Sequence, residues 1–277
     1  MQKRIAVVFD SAGTLLHMYR VAKNSKSGRI LENIESTALV ASKKGCALVV
    51  LNTENETILQ CREDKFLSEF IEEKKVSIGI SCSNGAFSAE AAFKIIKEDS
   101  TRIGDVHEVL RLVSNHCPNI FYLAAGVIVD SEARSVPYVL STGGRVFDTT
   151  LETIRTLEAM GVDSYIASGD SARSLSRLAE FINIPKERVF ALATTQKKEK
   201  IIRSLKERYD LVFMVGDGIN DILALRAADV GIMTIQQGDV RPEKLREAAD
   251  VVLDDLIKVV DIVRARELSQ KMDEYVD

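Results

Sequence analysis

The chain has 277 residues, 46% of them hydrophobic and 28% charged, with four Pro and a formal net charge of −4 at pH 7. That length suits two packed domains, the composition excludes a disordered chain, and the acidic balance argues against a nucleic-acid surface. Cys46, Cys61, Cys82 and Cys117 form no Cys-x-x-Cys pair and the three His have no metal-ligand spacing, which predicts a reduced, cytoplasmic setting and makes His116-Cys117 an ordinary loop or buried pair.

The first element is a strand at Ile5–Phe9, reached directly from Met1-Gln2-Lys3-Arg4 without the long apolar region of a secretion signal. It ends at Asp10, where Ser11-Ala12-Gly13-Thr14 begins a turn. Between about residues 23 and 142 the rhythm changes, with more Ser, Asn and Gly, and this stretch reads as an inserted α/β domain. Helices are expected there at 30–43, 56–72 and 106–116, and strands at 47–51, 76–81, 121–130 and 136–140. The most apolar stretch, 120–129, is too short for the ~20 residues that cross a bilayer, so no membrane association is expected. Asn84-Gly85 and Thr142-Gly143-Gly144 read as turns rather than nucleotide motifs.

From Gly143 onward helix and strand alternate. Thr149 and Glu152 have capping-box spacing and Gly161 closes the helix that they open. A strand at 162–167, helices at 172–182 and 197–208, a strand at 211–215, a short helix through Ala224, a strand at 230–233, a helix after Pro242, a strand at Val251–Leu253 and a terminal helix follow. Such a βαβ series predicts a mostly parallel, Rossmann-like sheet with helices on both faces, formed by residues 1–22 and 143–277 around the insert at 23–142.

Open parallel sheets bind ligands beyond the carboxyl ends of their strands, and Asp10, Ser168 and Asp217 all stand at strand ends. Asp10 is the candidate nucleophile, because a carboxylate beside Mg²⁺ and backbone donors can attack phosphorus and carry the group as an aspartyl phosphate. Ser168, followed by Gly169 and a helix, offers a hydroxyl and N–H groups to a phosphate oxygen. Lys197 opens a helix, an unfavourable end for a cation, and is assigned to neutralise Asp10; Lys198 and Lys200 compete for that role. Asp217 and Asp221, four apart across a Gly turn, suit Mg²⁺ with a phosphorylated small molecule as the remaining partner.

Asp10-x-x-Gly-Thr14, Ser168, Lys197 and Gly216-Asp217-Gly218-x-Asn220-Asp221 resemble the four motifs of the haloacid dehalogenase superfamily. Within it, Ala167-Ser168-Gly169-Asp170, 214–221 and 247–253 are most similar to the phosphorylation domain of P-type ATPases, and the lack of membrane spans implies a soluble relative. The resemblance implies a hydrolase of phosphatase or ATPase type, with the insert as a substrate-selecting cap. It also implies the Ala12 backbone carbonyl as a further Mg²⁺ ligand, and Gly13, Gly169 and Asn220 beside Ser168 at the phosphate. Ala12 is a departure, since phosphatases of this superfamily carry a general acid–base Asp there. Its absence predicts a preference for leaving groups that depart readily as anions, because acid–base help is worth ~10²–10⁴ in rate.

Two alternatives accompany this reading: a catalytically weak phospholigand-binding or regulatory protein, and a carbon–phosphorus hydrolase like phosphonoacetaldehyde hydrolases, with Lys43 or Lys44 forming a Schiff base. Apolar positions of the insert serve either its own core or a homo-oligomer surface.

Overall fold

The computed structural model describes residues 3–117, 120–170, 172–238 and 242–273. In chain order the elements are β1 (Ile5–Phe9), β2 (Leu16–Asn24), β3 (Ile30–Glu32), α1 (Ser36–Ala41), β4 (Cys46–Asn52), α2 (Asn55–Leu59), α3 (Leu67–Glu73), β5 (Ser77–Ser83), α4 (Ala89–Glu98), α5 (Ile103–His116), β6 (Tyr122–Asp130) and β7 (Ser135–Val146). They continue with α6 (Thr150–Ala159), β8 (Asp163–Ala167), α7 (Ala172–Phe181), β9 (Val189–Phe190), α8 (Thr195–Lys206), β10 (Leu211–Gly216), α9 (Ile222–Ala227), β11 (Val230–Thr234), α10 (Glu243–Arg246), β12 (Val251–Leu253) and α11 (Lys258–Asp273).

Two compact units result, Met1–His17 with Val146–Asp277, and Met18–Arg145. The crossings fall a few residues outside the expected 22/23 and 142/143. The reason is that β2 and β7 are long strands, neighbours in the second sheet, and carry their whole length into it.

The first unit holds a parallel sheet in the order β12-β11-β10-β1-β8-β9. Its central strands are apolar at every position, as a sheet covered on both faces requires. On one face Ala6, Val8, Val212 and Met214 pack with Ile201, Ile202 and Leu205 of α8 and with Ala224 and Leu225 of α9. The alternate residues Val7, Phe9, Phe213 and Val215 are equally buried, and α6 contacts β8 and α11. Thr149 precedes α6 as expected, but its hydroxyl donates to Asp255 at 2.7 Å, so the predicted capping box with Glu152 does not form. Gly161, at φ 75°, takes the left-handed conformation that ends this helix.

The second unit is an antiparallel-paired sheet in the order β3-β2-β7-β6-β4-β5. Residues of α2 to α5 pack on one face, among them Ile58, Phe70, Ile96 and Leu110, while Val40 of α1 lies against Ala22, Cys46, Ile128 and Leu140 on the other. The expected helix at 30–43 is instead β3 followed by α1. Asn33, at φ 52°, breaks the helical path, and Ile30 and Leu31 pair with β2. The expected helix at 56–72 divides into α2 and α3, because the intervening segment bonds to the start of α5: Ile103 N–H donates to Lys65 O and Gly104 N–H to Glu63 O, both at 2.9 Å. The sequence reading did not anticipate α4, which Ser88 caps by accepting from Ala91 N–H at 3.1 Å.

Candidate active site

The functional side chains stand at the carboxyl ends of β1, β8 and β10 and at the first turn of α8. Asp10 follows β1, and its N–H donates to Val215 O at 2.9 Å, tying its loop to β10. The loop then folds tightly on itself: Ser11 O accepts from the N–H groups of Leu15 and Leu16, both at 2.9 Å, and Gly13 N–H donates to Leu16 O at 2.7 Å. Gly13 has φ 78°, and a Cβ there would stand 2.0 Å from Asp217 Oδ2. A Cβ on Gly216 would stand 2.5 Å from Asp221 Oδ2. Both glycines are therefore the space in which carboxylates sit.

Asp10, Asp217 and Asp221 each offer a carboxylate oxygen within 4.8 Å of the others. Lys198 enters this group fully buried, with Nζ donating to Asp10 Oδ1 at 2.6 Å and to Asp221 Oδ1 at 2.7 Å. Asp221 Oδ2 accepts from Gly218 N–H at 3.0 Å. Burial pushes the Asp10 carboxyl up to about 8; Asp221 and Asp217 push the same way, against Lys198. Burial alone would lower the Lys198 ammonium, but Asp10 and Asp221 outweigh it and hold it above the ordinary lysine range.

The sequence assignment of Lys197 is corrected by this geometry. Lys197 is exposed and its Nζ donates to Ala191 O at 2.7 Å, anchoring the loop before α8. Lys198, one residue on and about 100° around the helix, shares the buried stripe with Ile201, Ile202 and Leu205. Lys200 is exposed.

Ser168 is held by its backbone, its N–H donating to Phe190 O at 3.1 Å and its carbonyl accepting from Ala193 N–H at 2.9 Å. Its hydroxyl lies 2.7 Å from that of Ser11, so the β8 loop meets the Asp10 loop through two buried hydroxyls. Asp170 joins them, as Ser11 Oγ donates to Asp170 Oδ2 at 2.5 Å and Ser168 Oγ donates to the same oxygen at 3.0 Å. Sequence reading missed Ser11 and Asp170; the sequence signal was their adjacency to Asp10 and Ser168. Ala12 is half-buried and pairs in an isolated bridge with Leu16. Gly169 and Asn220 are exposed, and Asn220 Oδ1 lies 2.3 Å from where a Cβ of Gly218 would be.

A family model for haloacid dehalogenase-like hydrolases matches residues 6–229. The chain belongs to this family. Among haloacid dehalogenase-like hydrolases and their relatives, it is 34% identical over 262 residues to a soluble P-type ATPase-like phosphatase of Methanocaldococcus jannaschii, covering 94% of this chain and 93% of that one. It is also 35% identical over 133 residues to a probable copper-exporting P-type ATPase V of Mycobacterium tuberculosis, covering 48% of this chain and 16% of that protein. A zinc-transporting PIB-type ATPase, captured in a phosphorylated state, superposes with a TM-score of 0.48 at 18% identity, covering 98% of this chain and 42% of that one. Among the described residues no helix of this family member is long and apolar enough to cross a membrane.

Haloacid dehalogenase-like hydrolases generally use Mg²⁺, and the donor set fits it. All the donors are oxygens, three carboxylates face one ammonium, and the absent side chains of Gly13 and Gly216 leave the carboxylates room to converge.

Proposed function

We propose that this chain is a Mg²⁺-dependent phosphohydrolase or phosphotransferase that works through an aspartyl phosphate on Asp10 and favours substrates with good leaving groups. The observation that carries the reading is Lys198, buried between Asp10 and Asp221 at 2.6 and 2.7 Å. A buried ion pair of this kind is poor evidence for stability, since desolvation offsets most of its attraction, and its placement on a carboxylate at a strand end favours a chemical role. The phosphatase name of the M. jannaschii relative, similar over nearly all of both chains, points the same way.

In this reading Lys198 holds Asp10 by Oδ1 and orients the other carboxylate oxygen toward phosphorus. The new O–P bond forms as the bond to the leaving group breaks, and the electron pair departs with the leaving group. Ala12 has no proton to give, so acyl phosphates, aryl phosphates and nucleoside polyphosphates turn over faster than alkyl esters. Water then attacks the phosphorus of phospho-Asp10 and releases orthophosphate. Ser168, with Gly169, Gly13 and Asn220, is assigned to the phosphoryl oxygens, and Lys198 offsets their charge. Asp10, Asp217, Asp221 and the Ala12 carbonyl would hold Mg²⁺, which would draw negative charge from the transferring group. The insert Met18–Arg145 serves as the cap that selects the substrate, a phosphorylated small molecule. The carbon–phosphorus alternative needs a neutral amine, whereas the Lys43 ammonium is bonded to Asp130, which raises it above the ordinary lysine range.

The test is Mg²⁺-dependent phosphate release from acetyl phosphate, an aryl phosphate, ATP and alkyl phosphates, run beside Asp10→Asn. Release that favours the good leaving groups and falls at least ~10³-fold in Asp10→Asn is expected, the scale on which loss of a nucleophile is felt. Equal release by Asp10→Asn would sink the proposal.

A further inference from the structure

The three polar groups Ser11 Oγ, Ser168 Oγ and Asp170 Oδ2 form a closed triangle, with sides of 2.7, 2.5 and 3.0 Å. Ser168 Oγ also accepts from Asp170 N–H at 3.2 Å. Two hydroxyl protons serve the three sides, and Asp170, as a carboxylate, brings none. Both protons are therefore spent inside the triangle. A phosphoryl oxygen is itself an acceptor, so it can be held by Ser168 only if that hydroxyl turns its proton away from Asp170. The arriving anion also meets the negative charge of Asp170 one hydroxyl away.

From this geometry we infer that Asp170 is a positioning residue that weakens the hold of the site on the phosphoryl group and on product orthophosphate, by competing for the Ser168 proton. The inference rests on the proposed assignment of Ser168 to the phosphate. Ser11 keeps the competitor in place, since its 2.5 Å bond to Asp170 Oδ2 remains when Ser168 turns. Ser11 and Ser168 are buried, which limits the water that could replace either bond. The sequence feature involved is specific, because Ser at position 11 and Asp at position 170 are both needed to close the triangle. The consequence for turnover is faster release of orthophosphate at the cost of weaker substrate binding.

The experiment measures equilibrium binding of orthophosphate, with Mg²⁺ present, to the full chain and to Asp170→Asn, Asp170→Ala, Ser168→Ala and the double variant Ser168→Ala/Asp170→Asn. Asn at position 170 accepts from Ser11 and donates to Ser168 Oγ, which frees the Ser168 proton. Orthophosphate should therefore bind Asp170→Asn about tenfold more tightly, the scale of one hydrogen bond to a charged group. In the Ser168→Ala background the same change should give less than a third of that gain. A full gain in that background would mean a through-space effect of charge and would overturn the inference, as would unchanged or weaker binding by both single Asp170 variants. Absence of binding to the unsubstituted chain would instead overturn the phosphate-site assignment itself. Kinetics on acetyl phosphate supply the second readout: Asp170→Asn should lower both KM and the inhibition constant for orthophosphate, a joint shift that simple loss of folded protein does not produce.

Discussion

In the inserted unit, Lys23 is shared between Asp105 and Glu108 at 2.8 and 2.6 Å, Arg134 grips Glu98, Lys65 meets Glu73 and Lys43 meets Asp130. Its buried His107 places Nε2 2.7 Å from Ile58 O, a carbonyl that can only accept, so that nitrogen donates. In the core unit the buried Lys198 faces the three carboxylates of Asp10, Asp217 and Asp221. One unit balances its charges locally, mostly near the surface, while the other leaves a buried negative surplus at the ends of its strands. Charge kept unbalanced away from water raises the energy of the empty site and marks where a cation and an anionic group are accommodated together.

The sharpest way to break this comparison is at α8. Lys198→Met should lower phosphate release ~10²–10³-fold, the scale of losing one preorganised charged donor, whereas Lys197→Met should stay within about a factor of two. Steady-state kinetics on an aryl phosphate compare them directly, and equal losses would place the functional cation wrongly. Restoring a carboxyl comes next. Ala12→Asp should raise turnover of an alkyl phosphate by at least ~10² relative to acetyl phosphate, since acid help matters most where the leaving group is poor.

The third expectation concerns pH. The Asp10 carboxyl is raised to about 8 by its burial, so between the unfolded-state value near 4 and 8 the folded chain binds a proton that the unfolded chain has lost. Stability without Mg²⁺ should therefore fall as pH rises through that window. Thermal melts at pH 5 and pH 8 in EDTA test this, and Asp10→Asn should flatten the difference. Added Mg²⁺ should restore the melting temperature at pH 8. The smallest effect on chemistry belongs to the inserted unit: His107→Ala strands the Ile58 carbonyl, costing about 1–3 kcal/mol in urea denaturation, with phosphate release per folded molecule unchanged.

Much of the core was legible because its signals are local. Unbroken apolar strands such as Ile5–Phe9 and Leu211–Gly216, each running into Asp and a Gly-containing turn, announce a parallel sheet with chemistry at its ends. The insert was less legible, since β3 and α1 depend on which neighbour Ile30 and Leu31 pair with, and the break between α2 and α3 depends on bonds to α5. These are tertiary decisions that no window of sequence contains. The lysine was a different failure. Lys198, Ile201, Ile202 and Leu205 keep the spacing of one buried helical face, so periodicity carried the right residue while dipole reasoning pointed to its neighbour. Ser11 and Asp170 were hidden because hydroxyls and a carboxylate from separate loops acquire meaning only when the loops meet.

The inserted unit begins and ends on β2 and β7, adjacent strands of its own sheet, and within the core Phe147 N–H donates to Leu15 O at 3.1 Å. The doorway through which the chain leaves and re-enters the core is therefore one hydrogen bond wide. In evolutionary terms the insert is a cassette: it can lengthen, shrink or be exchanged between lineages without moving β1 or α6, so specificity can diverge while the chemical apparatus stays fixed.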